Sequence, residues 1–163
     1  MNHLSQRDPA WAKMLLGQSN TSTIGMYGCK LTSLAMLAYI TPPEANKKLL
    51  DGGAFTGDLI SDDKASVALS LPYNGRFAYG AIPDPKGVCM AEVDMSPAPN
   101  KQQHFVVWLG FENKIIDPWT GTVVKNPYTL VSWRMFVEKK PETQKQKILK
   151  LIEELRKQTE LLP

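Results

Sequence analysis

The sequence predicts an α+β domain with its helices first and its sheet second. Apolar residues recur at helical spacing in the stretches 29–40 and 42–50, which marks one buried face on each. Between residues 88 and 124, short β-branched and aromatic runs alternate with turn formers, the pattern of paired strands. Helices and strands kept apart in this way pack as helices on one side of a mostly antiparallel sheet. A chain of 163 residues, 43% hydrophobic and 21% charged, is long enough for one domain with a real core.

In chain order, Asp8-Pro9-Ala10-Trp11 reads as a helix start, with Asp8 as cap and Pro9 at the first helical position; the helix ends at Gly17. Residues 18–23 are a polar loop. The next helix begins near Cys29 and runs to about Ile40, with Leu31, Leu34, Ala35 and Ala38 on its apolar face. Thr41-Pro42-Pro43-Glu44 is a capping box that opens a further helix through Leu50. Ser61-Asp62-Asp63 caps a short helix to Leu69, and 71–87 is loop apart from a short strand in Arg76–Gly80. Strands follow at 88–93, 104–109, 114–117 and 122–124, with a loop over 97–103; Tyr128–Phe136 reads as a final strand or a short helix. From Pro141 the composition turns to lysine and glutamate, and Ile148, Leu151, Ile152, Leu155 and Leu162 make a narrow apolar stripe. The expected organisation is therefore a domain over 1–140 and an amphipathic C-terminal helix over 141–163. That helix docks on a partner or on a second copy as a homo-oligomer, or folds back on its own domain.

The net charge is +3, and the lysine-rich tail from Glu138 holds seven bases against five acids, leaving the body near neutral. Without clustered bases, a nucleic-acid groove is not expected. No run approaches the ~20 apolar residues that cross a membrane, and no signal peptide is read at the start. Two histidines and two cysteines are few for a metal site, so neither a metal nor a cofactor is expected.

The chemistry concentrates at Gly25-Met26-Tyr27-Gly28-Cys29. Gly28 lets the backbone turn tightly before the helix, which sets Cys29 at or near its first turn. The unpaired N–H groups there favour a thiolate over a thiol. A lone cysteine is more often a small buried apolar residue, which is the reading for Cys89. A nucleophile also needs a base and a group that orients the base. His104 opens the strongest strand and Asp117 closes the next. A tight turn centred on Glu112-Asn113 sets Asp117 across from Trp108, on the face of His104 but four residues along. That separation is about 13 Å at ~3.3 Å per residue. A bulge at Gly110 or a strong twist is needed to close it.

Four short motifs carry a resemblance: Gln6-Arg7-Asp8-Pro9-Ala10-Trp11; Tyr27-Gly28-Cys29 with Thr32-Ser33-Leu34-Ala35-Met36; His104-Phe105-Val106-Val107-Trp108; and Ile116-Asp117-Pro118-Trp119-Thr120-Gly121. Together they resemble the papain-like cysteine peptidases, and within them the bacteriocin-processing (double-glycine) peptidase-like family, whose members also occur as stand-alone domains in bacteria and phages. The resemblance covers about residues 4–121. It implies a papain-like fold with Cys29 as nucleophile, His104 as general base and Asp117 orienting the imidazole. It further implies Gln6 as oxyanion donor and Trp119 as a shield over the histidine–acid pair. The partner implied is a peptide or protein substrate, in the cytoplasm or on a phage virion. The stretch between Cys29 and His104 departs from the family pattern, and the tail lies outside it.

The expected activity is thiol-dependent hydrolysis of a peptide or related amide bond. Two alternatives stand beside it: a peptidoglycan-directed cysteine amidase or endopeptidase, and a peptide-binding or virion-associated module without turnover. Each residue also has a plainer role. Gln6 would precede a helix cap, Asp117-Pro118 would start a turn, and Trp108 and Trp119 would be core.

Overall fold

The computed structural model describes residues 1–96 and 101–138, together with Ile148, Leu149, Ile152 and Arg156. The order of elements is α1 (Ile24–Tyr27), α2 (Cys29–Ala38), α3 (Pro42–Asp51), β1 (Phe55–Thr56), β2 (Leu59–Ile60), α4 (Asp62–Leu69), β3 (Tyr73–Ala78), β4 (Cys89–Asp94), β5 (Gln103–Trp108), β6 (Lys114–Asp117), β7 (Thr122–Lys125) and β8 (Thr129–Phe136). The class is α+β. Six strands form one antiparallel sheet in the order β3-β8-β4-β5-β6-β7, and β1-β2 is a separate small hairpin.

α2 is the centre of the core. Every side chain from Leu31 to Ala38 is buried, so the single apolar face read from the spacing is in fact an all-round one. A helix apolar on all sides is a buried helix. It packs against Phe105 and Val107 of β5, with Ala45 and Leu49 of α3 and Leu69 of α4 in the same cluster. Truncating a side chain such as Leu34 here costs about 2–5 kcal/mol. α2 stops where Tyr39 turns left-handed at φ 58°. α3 starts as expected, with the Thr41 hydroxyl accepting from the Glu44 N–H and the Glu44 carboxylate accepting from the Thr41 N–H.

The far face of the sheet has its own cluster. Cys89, Ala91, Val93, Val106, Trp108, Ile115 and Trp133 are buried together there. β4 is accordingly buried on both faces, Met90 joining the α2 cluster and Cys89, Ala91 and Val93 the far one. Tyr128–Phe136 resolves as strand: β8 inserts between β3 and β4. β3 begins at Tyr73, three residues before the expected strand, and Gln103 belongs to β5 instead of the loop before it. Within that loop, residues 97–100 lie outside the described residues.

Residues 8–17 are not a helix. Asp8 does cap one turn, its carboxylate accepting from the Ala10 N–H and its carbonyl from Trp11 and Ala12. The turn does not propagate because the chain is committed elsewhere. Met14 and Ala12 carbonyls accept from Ile24 and Gly25, Leu15 bridges Thr23, and the Trp11 indole donates to the Ser5 carbonyl. Tertiary pairing has overridden a good start signal.

The expected C-terminal helix over 141–163 lies outside the described residues except at four positions. Those four have helical backbone, and Ile148, Leu149 and Ile152 are about half exposed, at 51%, 54% and 44%. Among the described residues, no helix is long and apolar enough to cross a membrane.

Candidate active site

Cys29 is the first residue of α2. Gly28 ahead of it has an ordinary φ of −82°. Glycine is required there by contact, since a Cβ would sit 2.4 Å from the Ile24 carbonyl oxygen. That closeness lets α1 run straight into α2. No side chain caps the N-terminus of α2, so its first N–H groups remain available to a ligand. Cys29 itself is half-buried, and both cysteines are free thiols.

One turn on, the Ser33 hydroxyl donates to the carbonyl of Phe105 at 3.2 Å. Residues four apart on a helix share a face. The bond that ties Ser33 to Phe105 therefore also holds Cys29 beside Phe105's neighbour, His104.

The β5–β6 register differs from the expected one, and the difference makes the site. Val107 pairs with Ile116 and Trp108 with Ile115, so continuing the ladder sets Asp117 across from Val106, not Trp108. The cause is the turn. Four residues, 110–113, link Leu109 to Lys114, closed by the Leu109 N–H donating to the Lys114 carbonyl at 3.0 Å. Gly110, Glu112 and Asn113 all have positive φ. Gly110 also abuts the Lys86 carbonyl, 2.3 Å from where a Cβ would be. His104 and Asp117 are thus two residues apart along the strand, a diagonal pair whose Cα separation of roughly 7–8 Å side chains can span. No bulge is needed. His104 Nε2 lies 2.9 Å from Asp117 Oδ1, with both side chains almost fully buried.

Asp117 is held from three directions. Oδ1 also accepts the Trp119 N–H at 2.8 Å, and Oδ2 accepts the Tyr128 hydroxyl at 2.6 Å. Burial pushes its acidity the other way, yet the hydrogen bonds from His104, Tyr128 and Trp119 hold the carboxyl below the usual aspartate range. Burial also disfavours a charged His104, but the bond to Asp117 and the Cys29 side chain outweigh it. The imidazole is pushed up to about 9. With Nε2 on Asp117, Nδ1 is the nitrogen left for the thiol.

The N-terminal segment completes the site. The Gln6 N–H donates to the Pro118 carbonyl at 2.7 Å and Ser5 Oγ donates to the Trp119 carbonyl. Gln6 is buried, and its Nε2 donates to the Gly25 carbonyl at 3.1 Å, leaving its second amide proton unassigned. The Arg7 guanidinium lies 3.7 Å over the Trp119 ring. Gln6, Cys29, His104 and Trp119 all line one cleft of about 570 Å³, which Met26, Tyr27, Leu59, Lys30 and Arg134 also border. A second hollow of about 770 Å³, lined by Tyr79, Lys86, Trp108, Phe111 and Tyr128, holds neither Cys29 nor His104. Chemistry, not size, therefore marks the first as the candidate.

All five residues singled out in the sequence meet here. Tyr128 was missed, since its reach to Asp117 depends on how 126–128 returns to the sheet. The only local signal was Asn126-Pro127, a turn former. Cys89 is 2% exposed, and burial pushes its thiol up to about 12. Among the described residues, no three His, Cys, Asp or Glu side chains gather as a metal site would require.

No family model, curated protein or solved structure matches the chain.

Proposed function

We propose that this chain is a papain-like cysteine peptidase that hydrolyses a peptide or related amide bond through an acyl-enzyme. The observation that carries the reading is His104, bonded through Nε2 to Asp117 and lining one open cleft with Cys29. A nucleophile, a base and a group that orients the base are the parts that covalent catalysis needs. The helix-borne cysteine packed against an antiparallel sheet that supplies the histidine and the acid also fits the resemblance noted in the sequence.

In this mechanism His104 takes the proton of Cys29. Sγ attacks the substrate carbonyl, and the negative oxygen that forms is met by the Cys29 N–H and the second amide proton of Gln6. The imidazolium gives its proton to the amine as the C–N bond breaks, leaving a thioester. Water, deprotonated by His104, attacks the thioester; the S–C bond breaks and the sulfur regains a proton. Asp117 keeps the ring oriented throughout, and Trp119 under Arg7 limits water at the His104–Asp117 bond.

The test is incubation of the folded chain with a mixed peptide library and, in parallel, with muropeptides. Cleavage of peptides that disappears in Cys29→Ala supports the reading. Cleavage of muropeptides alone moves the substrate to the cell wall. No cleavage of either, with tight peptide binding, would replace catalysis with a binding role.

A further inference from the structure

The His104–Asp117 pair alone does not explain why the carboxylate stays in place. His104 Nε2 and the Trp119 N–H both engage Oδ1. A carboxylate gripped through one oxygen still turns easily, because the torsion that carries it is broad. The second oxygen is where rotation is stopped, and its partner is the Tyr128 hydroxyl at 2.6 Å. The same side chain meets the imidazole edge-on, with ring centroids 5.8 Å apart and planes at 81°. One residue thus touches both members of the pair.

Tyr128 is itself firmly placed. Asn126 Oδ1 accepts from the Tyr128 N–H at 3.0 Å and Asn126 Nδ2 donates to the Tyr128 carbonyl at 3.1 Å. The Asn126 N–H donates to the Asn113 carbonyl at 2.7 Å. The tyrosine is therefore fixed to the hairpin turn that sets the His104–Asp117 register. Burial and the bond to Asp117 both push the phenol above the usual tyrosine range, so it remains a donor while His104 titrates.

We infer that Tyr128 is a positioning residue of the site, locking Asp117 through Oδ2 and thereby fixing the ring of His104 toward Cys29. The inference rests on the peptidase reading for its purpose, but its physical content does not. The test therefore reads the histidine and the thiol directly. Tyr128→Phe removes the hydroxyl and keeps the ring contact. Its expected effects are two. Alkylation of Cys29 by iodoacetamide at pH 7 slows about tenfold or more, in line with losing one hydrogen bond to a charged group. The downfield proton resonance expected of His104 Nε2–H in the wild-type chain broadens into exchange with water in the variant. A merely structural tyrosine would lower the melting temperature and leave both readouts unchanged, and that result overturns the inference. Should Tyr128→Phe fail to fold, the wild-type chain is prepared with fluorotyrosine at its five tyrosines. One fluorine resonance must then move as pH crosses about 9 and must stay still in His104→Ala; five signals indifferent to that titration also overturn it. A wild-type chain that cleaves nothing yet shows these effects loses the peptidase reading and keeps the positioning one.

Discussion

Two buried charged clusters surround the cleft, and they use their hydrogen bonds differently. In the first, Lys30 and Arg134 pair with Asp62, Arg134 and Arg76 pair with Glu92, and Ser132 and Gln103 donate to Glu92 as well. Both oxygens of each carboxylate are engaged inside the protein. This cluster ties the starts of α2 and α4 to β3, β4 and β8. In the second, Asp117 is equally well held, but the other ring nitrogen of His104 takes no part in that bond, and the ring borders the cleft that Cys29 lines. Burial costs both clusters several kcal/mol in desolvation. The first recovers that cost in structure. The second leaves part of its capacity free for another molecule, which is what separates a brace from a reactive site.

The largest expected contrast comes from breaking each cluster once. His104→Ala should lower thiol-dependent turnover by a factor of about 10²–10⁴, the usual worth of a general base, with a folded chain. Glu92→Gln should do the reverse. It leaves Arg134 buried and poorly paired, costing about 3 kcal/mol of stability and roughly 6–12 °C in Tm, while Cys29 still reacts at room temperature. Turnover assays and thermal melts on the two variants check this together.

A smaller separation should appear along the pH axis. Burial works against a charged Glu92, but the bonds from Ser132, Gln103 and Arg134 hold it at about 2, against an ordinary 4.5. Its contribution to stability is present above pH 4.5 and is lost as pH falls through about 2. His104 is raised from 6.5 to about 9, so its contribution is full below pH 6.5 and is lost as pH rises through about 9. Melting curves across pH should therefore weaken at both ends, and His104→Ala should remove only the alkaline loss. Turnover should decline near pH 9 as well, because the imidazolium that protonates the leaving amine disappears there.

The smallest effect is expected from Asp117→Asn. An amide keeps one acceptor for the His104 ring but loses the negative charge, so turnover should fall less than in His104→Ala. Equal losses in the two variants would mean that the charge of Asp117, not its placement of the ring, is what matters.

What the sequence made legible follows from how locally each feature is specified. The capping box at Thr41 and the start of α2 at Cys29 depend on neighbours within four residues, and both appear as read. The Asp8 segment carries an equally good local signal, yet its backbone groups pair with 22–25 and its helix does not form. The identities of Gln6, Cys29, His104, Asp117 and Trp119 came from motifs; four of them line one cleft, and Asp117 is bonded to His104 and to the Trp119 N–H. Their distances were less accessible. The 13 Å gap assumed a two-residue turn, whereas three left-handed residues at Gly110, Glu112 and Asn113 lengthen it to four. Tyr128 and the Lys30–Asp62–Arg134–Glu92 cluster were invisible for a related reason. Tyr128 meets Asp117 only through the way 126–128 returns past the hairpin turn, Arg134 reaches Asp62 and Glu92 only once β8 inserts between β3 and β4, and no short pattern records either.

The most direct measurement of the central claim, that Cys29 and His104 act together, is site-resolved thiol labelling of the folded chain. Iodoacetamide is added at pH 7, and the modified residues are identified by peptide mass. Rapid labelling is expected at half-buried Cys29 and none at Cys89, which is 2% exposed with its thiol pushed up to about 12. His104→Ala is expected to slow Cys29 labelling by at least tenfold, because the thiol loses the base that takes its proton. Labelling of Cys29 at the same rate with and without His104 would show that the two residues do not act together.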